Sequence, residues 1–449
     1  MKNYEDSIYG LIEIEPIFQL IINTPEFQRL KYIKQTENIY FLFPSSVHTR
    51  FEHCIGTFHL AKKLLDYLSK SQHDLNITRK ESLCVQIAAL CHDIGHGPFS
   101  HLFEELIKPN CSFKHETASF LIFERIFDKL KSQSEFIEEG IFTEKDKILI
   151  IDLIHPKISK KLWSNFINQT NDIKIIKDNF LNQLGISMDK IFLFEIVSNF
   201  ITNIDVDKWD YFTRDSFHMN LKINFDYEKF IHNCYISELD GLNRLCFKDL
   251  EQILDLIKAK RSLQKYRYKI PSALALRLML IDCLNEITLE DGFINKLENL
   301  KLNLNWYLNL DDRVLDTIRT HKGLEIKSRM DQKDFYHYIR SVPRENLDQN
   351  KIDMFKQNMA YKFQIDPKDL IFTIEKYFFG KNNQCLLESL SKMNLSTNEA
   401  RVTLKEETIV ILFYKPITLD ESLRDDLKNE FIKFFGSYKK VDFNNNEEI

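Results

Sequence analysis

The sequence predicts a mainly α fold, a large helical body with a smaller α+β lobe behind it. Three observations carry this. Glycine and proline are scarce, 11 and 10 among 449 residues, which favours long helices with short connections. Apolar residues recur at helical spacing through much of the chain. Towards the C-terminus the pattern changes to short runs rich in β-branched and aromatic residues.

Taken in order, residues 11–35 read as a short strand or loop and then helix. Thr24-Pro25-Glu26 supplies an N-cap and a proline at the first helical position. From Arg50 to Lys70, Phe51, Ile55, Phe58, Leu60, Leu64, Leu65 and Leu68 mark a helix. Residues 80–93, KESLCVQIAALCHD, form a second helix that becomes apolar on nearly every side, and such a helix is buried. Further helices are expected at 115–132, 145–155 and 189–202. LDGLNRLCF (239–247) signals a hairpin with Asp-Gly at its turn. Helices at 248–268 and 271–288 follow, and beyond Gly323 the pattern loosens. Residues 369–378 and 407–415 read as strands, 422–435 as a closing helix, and the terminal NNNEEI as a disordered tail. The expected division is a body at 1–340 and a lobe at 341–449, whose expected role is assembly.

The chain is 44% hydrophobic and 28% charged, ordinary for a soluble globular protein, and 36 phenylalanines imply a densely packed interior. No run approaches the ~20 apolar residues of a membrane span, so no membrane is expected. The start, MKNYEDSIYG, lacks the basic and apolar regions of a signal peptide. Eight cysteines without CxxC spacing argue against a zinc ribbon and for reduced thiols in a cytoplasmic protein, or a nuclear one in a eukaryote. A net charge of −5 argues against bulk nucleic-acid binding and leaves a local basic funnel open.

The chemistry concentrates in CHDIGHGPFSH (91–101). A second His-Asp pair, His73-Asp74 in SQHDLN, reads as a solvated loop. His92-Asp93 instead ends a buried helix, where an ionised Asp is costly unless it is paired or binds a metal. Gly95, Gly97 and Pro98 are expected to stop the helix and let a ligand approach the backbone. HDIGH formally resembles the HExxH helix of zinc proteases, but the glycines weaken the helix that motif needs, and Asp is a methylene short for the base. The other reading makes His92 and Asp93 ligands, with partners on distant helices. HTRFEHCIG (48–56) offers His53, with Arg50 three residues earlier on the same helical face. NIDVDKWDYFTRD (203–215) gathers Asp205, Asp207, Asp210 and Asp215 with Lys208, Tyr211 and Arg214, and its apolar interleaving implies partial burial. Two histidines and two carboxylates suit Mn, Fe or Zn.

These motifs resemble a family. His53, His92-Asp93 and Asp207 match the H…HD…D pattern of HD-domain phosphohydrolases. TPEFQRLKYIKQ, FPSSVHTRFEHCIGT, CVQIAALCHDIGHGPFSHLFE, FEIVSN and IDVDKWDYFTRD resemble the deoxynucleoside triphosphate triphosphohydrolases, in particular the animal SAM-and-HD-domain enzymes and their bacterial relatives. The resemblance covers residues 1–290 well, 290–340 loosely, and then fades. It implies an HD-domain helical body and a metal held by His53, His92, Asp93 and Asp207. Water activated at that metal would attack the α-phosphorus of a dNTP, releasing deoxynucleoside and intact triphosphate, with Mg accompanying the substrate triphosphate. His101 would be the general acid, with His96, His115 and Glu104 completing the proton-handling cluster. Arg50, Lys208, Tyr211 and Lys260 would meet phosphate oxygens. Gln35 and Asp215 would contact the sugar 3′-OH, and Tyr268 would exclude a 2′-OH. The alternatives are a nuclease or nucleotide phosphohydrolase of other specificity, in antiviral or antiphage defence, and a catalytically silent nucleotide sensor or nucleic-acid-binding protein.

Departures from the family pattern are Glu104 for an Asp, Lys260 for an Arg and Gln264 for a His. The animal enzymes of this family are assembled into tetramers by guanine nucleotides. Within the matching segment, Asn23 replaces the guanine-reading Asp, Gln28 is kept and Lys31 replaces an Arg; Lys333 and His337 match the second half of that site. The expectation is a homo-oligomer, dimer or tetramer, responding to a nucleotide effector other than GTP or to none.

Overall fold

The computed structural model describes residues 2–141, 143–167, 173–288, 292–343, 348–377, 383–404, 407–416 and 418–435. The expected tail lies outside these residues, as do Lys405, Glu406 and Phe378 at the edges of the lobe's strands. Helices dominate the body, as the spacing of apolar residues requires. An antiparallel hairpin, Lys2–Asp6 with Gly10–Ile14, opens the chain and leads into the short helices Pro16–Ile22 and Pro25–Gln28. Thr24 caps the second of these, its side chain accepting the Phe27 N–H ahead of Pro25.

Helices Arg50–Ser71 and Arg79–Cys91 form the centre. The second begins at a reciprocal cap between Thr78 and Glu81. From Leu83 to Cys91 all of its side chains are buried, so both ends of its inner half are fixed before His92 and Asp93 leave it. Helices His115–Leu130, Glu144–Ile154 and Val206–His218 pack around this pair.

The expected helix at 189–202 is broken. A 3₁₀ segment, Met188–Leu193, and one helical turn, Phe194–Val197, stop before Asn199. The Asn199 side chain accepts the N–H groups of Ile201 (3.0 Å) and Thr202 (2.9 Å), and the Asn199 backbone N–H donates to Asp205 Oδ2 (3.0 Å). A side chain competing for backbone donors ends the helix and delivers the chain to Asp205, the N-cap of the Asp207 helix.

The Asp-Gly hairpin forms as expected, Cys234–Leu239 with Leu242–Phe247, Asp240 and Gly241 both having positive φ (55° and 75°). The expected 248–268 helix runs as α-helix only from Leu250 to Leu263 and widens to a π-turn over Gln264–Tyr268. Helix Pro271–Thr288 follows as expected.

Where the pattern loosens there are a helix His321–Asp331, a strand His337–Pro343 and a helix Gln349–Phe363. The strand crosses the expected boundary at 340 and joins a three-stranded antiparallel sheet, with Glu407–Tyr414 central and Leu370–Tyr377 on the far edge. Alternate residues of the central strand serve two cores. Ile409, Ile411 and Phe413 join the main core, while Val410, Leu412 and Tyr414 pack with Phe355, Leu427 and Phe431 of the covering helices. Among the described residues no helix is long and apolar enough to cross a membrane.

Candidate active site

The four expected metal donors come from three elements. His53 projects from helix Arg50–Ser71, His92 and Asp93 from the end of helix Arg79–Cys91, and Asp207 from the first turn of helix Val206–His218. His53 Nε2 lies 3.2 Å from His92 Nε2, 3.1 Å from Asp207 Oδ1 and 3.4 Å from Asp93 Oδ2. His92 Nε2 lies 3.4 Å from the same oxygens of Asp93 and Asp207. Donor atoms about 2.0–2.2 Å from one divalent ion stand about 3.0–3.5 Å from each other, so these spacings fit a shared cation.

The tautomers strengthen the fit. His53 Nδ1 faces Asp210 Oδ2 at 2.7 Å, and His92 Nδ1 faces the Ala89 carbonyl at 2.9 Å. Both partners are acceptors, so each Nδ1 carries a proton and each Nε2 is the atom that would turn a lone pair on a bound cation. Two carboxylates facing one point repel unless positive charge lies between them, and although burial lowers the His53 pKa, its hydrogen bonds to Asp207, Asp210 and Asp93 raise it well above the usual imidazole value. His53, His92 and Asp207 form the tightest group. Asp93 is shared, because Arg50 Nη1 also donates to its Oδ2. Burial raises the Asp93 pKa, but the neighbouring His92 and the Arg50 guanidinium hold it well below the ordinary carboxylate range. Asp207 is likewise held down, against burial, by its hydrogen bonds to His53 and His92.

A second cluster adjoins the first. The His96 ring stacks on His115 (centroids 4.0 Å apart, planes at 12°) and meets His101 edge-on at 4.8 Å. His96 is buried, neither ring nitrogen makes a hydrogen bond, and Nε2 lies 3.3 Å from Asp93 Oδ1. Burial, Arg50 and His115 push its pKa well down. Glu104 accepts from both the backbone N–H (3.1 Å) and Nδ1 of His115. The longer side chain expected to disturb the histidines therefore still closes on one of them. Burial lowers the His115 pKa, but this bond to Glu104 together with the Glu116 and Asp93 charges outweighs it and the net shift is upward. His101 presents its ring to solvent although protein encloses its other sides, and the enclosure together with the Arg50 and His115 charges pushes its pKa down.

Gly95 corrects one expectation. A Cβ there would stand 2.1 Å from Ser119 N and 2.3 Å from His115 O, so the backbone of helix His115–Leu130 occupies the space expected for a ligand. The missing side chain brings His115 beside His96. The following corner is strained: Phe99 and Ser100 have φ of 54° and 56°, a geometry that costs about 1–3 kcal/mol per residue. Phe99 N–H donates to Asp312 Oδ1 (2.6 Å), and Ser100 Oγ donates to Lys34 O (2.7 Å) while accepting from Arg50 Nε (2.9 Å). These bonds hold the corner that presents His101.

The remaining expected residues line the same region. Lys208 Nζ lies 2.9 Å from both oxygens of Asp205. Burial and the Lys208 charge bring the Lys260 ammonium down to about 7. Asp215 accepts from Tyr268 OH and faces His48 Nε2 at 2.7 Å. The π-turn places Tyr268 for that bond. Tyr211 packs near His53 (centroids 6.5 Å), and burial with Asp207 and Asp205 raises its pKa well above the ordinary value. Gln35 is buried and its side-chain oxygen makes no hydrogen bond.

Sequence reasoning missed His48, Asp210 and Asp312. Asp210 was visible in one respect, since it lies three residues after Asp207 and so near the same helical face. His48 and Asp312 had no local signal.

Residues 50–165 match the family model for the HD domain. That segment of the chain is similar to the HD domain. The HD segment contains His53, His92, Asp93 and the whole His96–His115 cluster, while Asp207 is supplied from beyond it. The chain is 33% identical over 410 residues to the deoxynucleoside triphosphate triphosphohydrolase SAMHD1 of Xenopus laevis, covering 84% of this chain and 62% of the relative. It is 39% identical over 275 residues to the Homo sapiens protein of that name, 60% of this chain and 42% of the relative. The Bos taurus protein is 29% identical over 453 residues, 97% of this chain and 69% of the relative. The chain thus spans less than two thirds of the Xenopus and human proteins.

Proposed function

We propose that this chain hydrolyses deoxynucleoside triphosphates to deoxynucleoside and inorganic triphosphate, in a reaction that requires a divalent cation. The observation that carries the reading is the convergence of two Nε2 atoms with Asp93 and Asp207, directly beside three clustered imidazoles. The printed names of the relatives support the substrate class. A bound cation (Mn, Fe or Zn), with Mg on the substrate triphosphate, lowers the pKa of water towards ~7 and offsets phosphoryl charge.

The chain's own residues do the rest. Arg50, locked by Ser100 and Asp93, offers a preoriented guanidinium to the phosphates. Burial and the Lys208 charge disfavour the proton on Lys260, and an arriving polyanion restores it, so both amines can meet phosphate oxygens. His101 delivers a proton to the leaving 5′ oxygen; its lowered pKa makes it a strong acid once protonated. The polyphosphate raises that protonated fraction, and His115, its pKa raised against burial by Glu104 and neighbouring carboxylates, completes the proton-handling cluster. Gln35 and Asp215 hold the 3′-OH, and Tyr268, tied to Asp215, crowds the 2′ position.

The test is incubation with each dNTP and Mn(II) or Mg(II), followed by product identification. Inorganic triphosphate is the expected product, with dGTP consumed in preference to GTP. Orthophosphate, pyrophosphate or nucleic-acid cleavage products in its place would support a nuclease or a phosphohydrolase of other specificity. Equal turnover of dGTP and GTP would remove the sugar assignment.

A further inference from the structure

Helix Arg50–Ser71 carries a glycine in its interior, Gly56, one turn beyond His53. An interior helical glycine costs about 1 kcal/mol relative to alanine, so its presence needs a reason. A Cβ at Gly56 would fall 1.9 Å from Asp210 Oδ1 and 2.4 Å from Arg214 Nη2. The glycine admits a buried charge pair against the helix that carries a metal donor.

That pair is wired in two directions. Asp210 Oδ2 meets His53 Nδ1 at 2.7 Å and accepts from Arg214 Nε at 3.0 Å. Asp210 Oδ1 accepts from Arg214 Nη2 at 2.9 Å and from Tyr9 OH at 2.8 Å. The carboxylate thus has four donors, and the last comes from the turn of the N-terminal hairpin. Arg214 Nη1 continues the chain to Asp6 Oδ2 at 2.9 Å, while Asp6 Oδ1 accepts the N–H groups of Ile8 (2.8 Å) and Tyr9 (3.1 Å). Asp6 therefore shapes the turn that presents Tyr9. The Tyr9 ring is gripped edge-on by Tyr227 (5.1 Å, 81°) and lies 5.0 Å from His59. His53, Asp210 and Arg214 have no exposed surface.

Asp6, Asp210 and Arg214 are all buried beside His53, so this paired network is costly to break and fixes the ring it touches.

We propose that Asp210, Arg214 and Tyr9 are positioning residues for His53, and that docking of the hairpin Lys2–Ile14 and binding of the divalent cation strengthen each other through them. This rests on the metal reading of the HD site. Asp210 fixes the His53 ring and its tautomer, and Tyr9 and Arg214 fix Asp210. A cation on Nε2 draws electron density from the ring and strengthens the Nδ1–H bond to Asp210. Linkage then requires the reciprocal effect, so the cation protects the hairpin from opening by the factor by which the docked hairpin tightens the cation.

The test uses the full chain and Mn(II). Binding is measured by equilibrium dialysis for the wild type, Asp210→Asn, Tyr9→Phe and Asp207→Ala, and hydrogen exchange of residues 2–14 is followed with and without Mn(II). Asp210→Asn is expected to weaken Mn(II) binding about 10- to 100-fold. Tyr9→Phe, one bond further away and conservative enough to fold, is expected to weaken it roughly 2- to 30-fold. Mn(II) should slow exchange of the hairpin amides in the wild type, less in Tyr9→Phe and not in Asp207→Ala. Wild-type affinity in Tyr9→Phe together with hairpin exchange indifferent to Mn(II) overturns the linkage while leaving the metal site intact. A wild-type chain that takes up no Mn(II) overturns the metal reading, and the linkage with it.

Discussion

His101 and His115 stand 5.3 Å apart ring to ring, yet their pKa values move in opposite directions. The difference is Glu104, which bonds His115 and not His101. The proposed general acid can be removed without touching the proposed metal donors, which makes a clean prediction. His101→Ala keeps its metal and loses on the order of 10²–10⁴-fold in turnover, read by steady-state kinetics beside metal analysis; a near-normal rate returns His101 to a structural role. The His115–Glu104 pair makes a second. His115 is raised from 6.5, so its contribution to stability is complete below about pH 6.5 and is lost as pH rises through its folded value. Glu104 is lowered from 4.5 despite burial, chiefly by His115, so its contribution is complete above about pH 4.5 and is lost as pH falls through its folded value. Glu104→Gln should therefore melt below the wild type by the widest margin between about pH 4.5 and 6.5. A charge-assisted bond of this kind is worth about 1.5–3 kcal/mol. A margin that stays flat from pH 3 to 9 would contradict the pairing. The histidines were legible in the sequence because they crowd into one motif; which of them is charged was not, because Arg50 and Glu104 reach them only through the fold.

At the scale of elements, helix ends do most of the placing. His92 and Asp93 leave a buried helix, and Arg50, His101 and His115 each head one. The short helix His101–Ile107 was not readable from the spacing of its apolar residues, but helices Arg50–Ser71, Arg79–Cys91 and His115–Leu130 were. The breaks were less so: the stop at Asn199 depends on a side chain reaching its own backbone, and the π-turn at Gln264–Tyr268 leaves no mark in the apolar pattern. Asp312 was invisible for a further reason. It lies more than 200 positions from the loop it serves, yet its two oxygens accept the N–H groups of Phe99 (2.6 Å) and Lys34 (2.7 Å), joining the strained corner to the segment carrying Gln35. Burial brings its carboxyl up to about 7, against the pull of those two backbone bonds. Asp312→Ala strands two buried N–H groups at about 1–3 kcal/mol each and releases the corner before His101. Expected are a lower melting temperature and a fall in kcat larger than any change in KM, with bound metal retained. An unchanged kcat in a folded variant would show that the corner holds its shape without Asp312.

At the scale of the whole molecule, the strand Glu407–Tyr414 ties lobe to body by serving one core on each face. Its continuous apolar run was legible as a strand, but not the partner His337–Pro343, whose mixed composition gives no alternation and becomes a strand only by pairing. The expected response to nucleotides would act at this scale, through the segment from Asn23 to Lys31. Asn23 ends helix Pro16–Ile22, and its side-chain oxygen accepts from Gln19 Nε2 at 2.7 Å. Gln28 Nε2 donates to Ile22 O at 2.7 Å, and the Lys31 ammonium sits over the Phe51 ring at 4.7 Å. Guanine presents a ring N–H and an amino group side by side, and a carboxylate accepts both. Asn23 has one acceptor, already engaged, and its remaining amide group donates, so reading guanine here sets donor against donor. A mismatch of that kind costs about 1–3 kcal/mol, roughly ten- to a hundredfold in affinity. GTP is therefore expected not to be an obligatory activator, and assembly, where it occurs, to proceed without it or with another nucleotide. Sedimentation and dNTP hydrolysis with and without GTP decide the matter: the expected result is hydrolysis of comparable rate in both arms and no GTP-driven change in mass. Strict dependence on GTP for both turnover and assembly would mean that Asn23 releases Gln19 and that guanine is read by other residues.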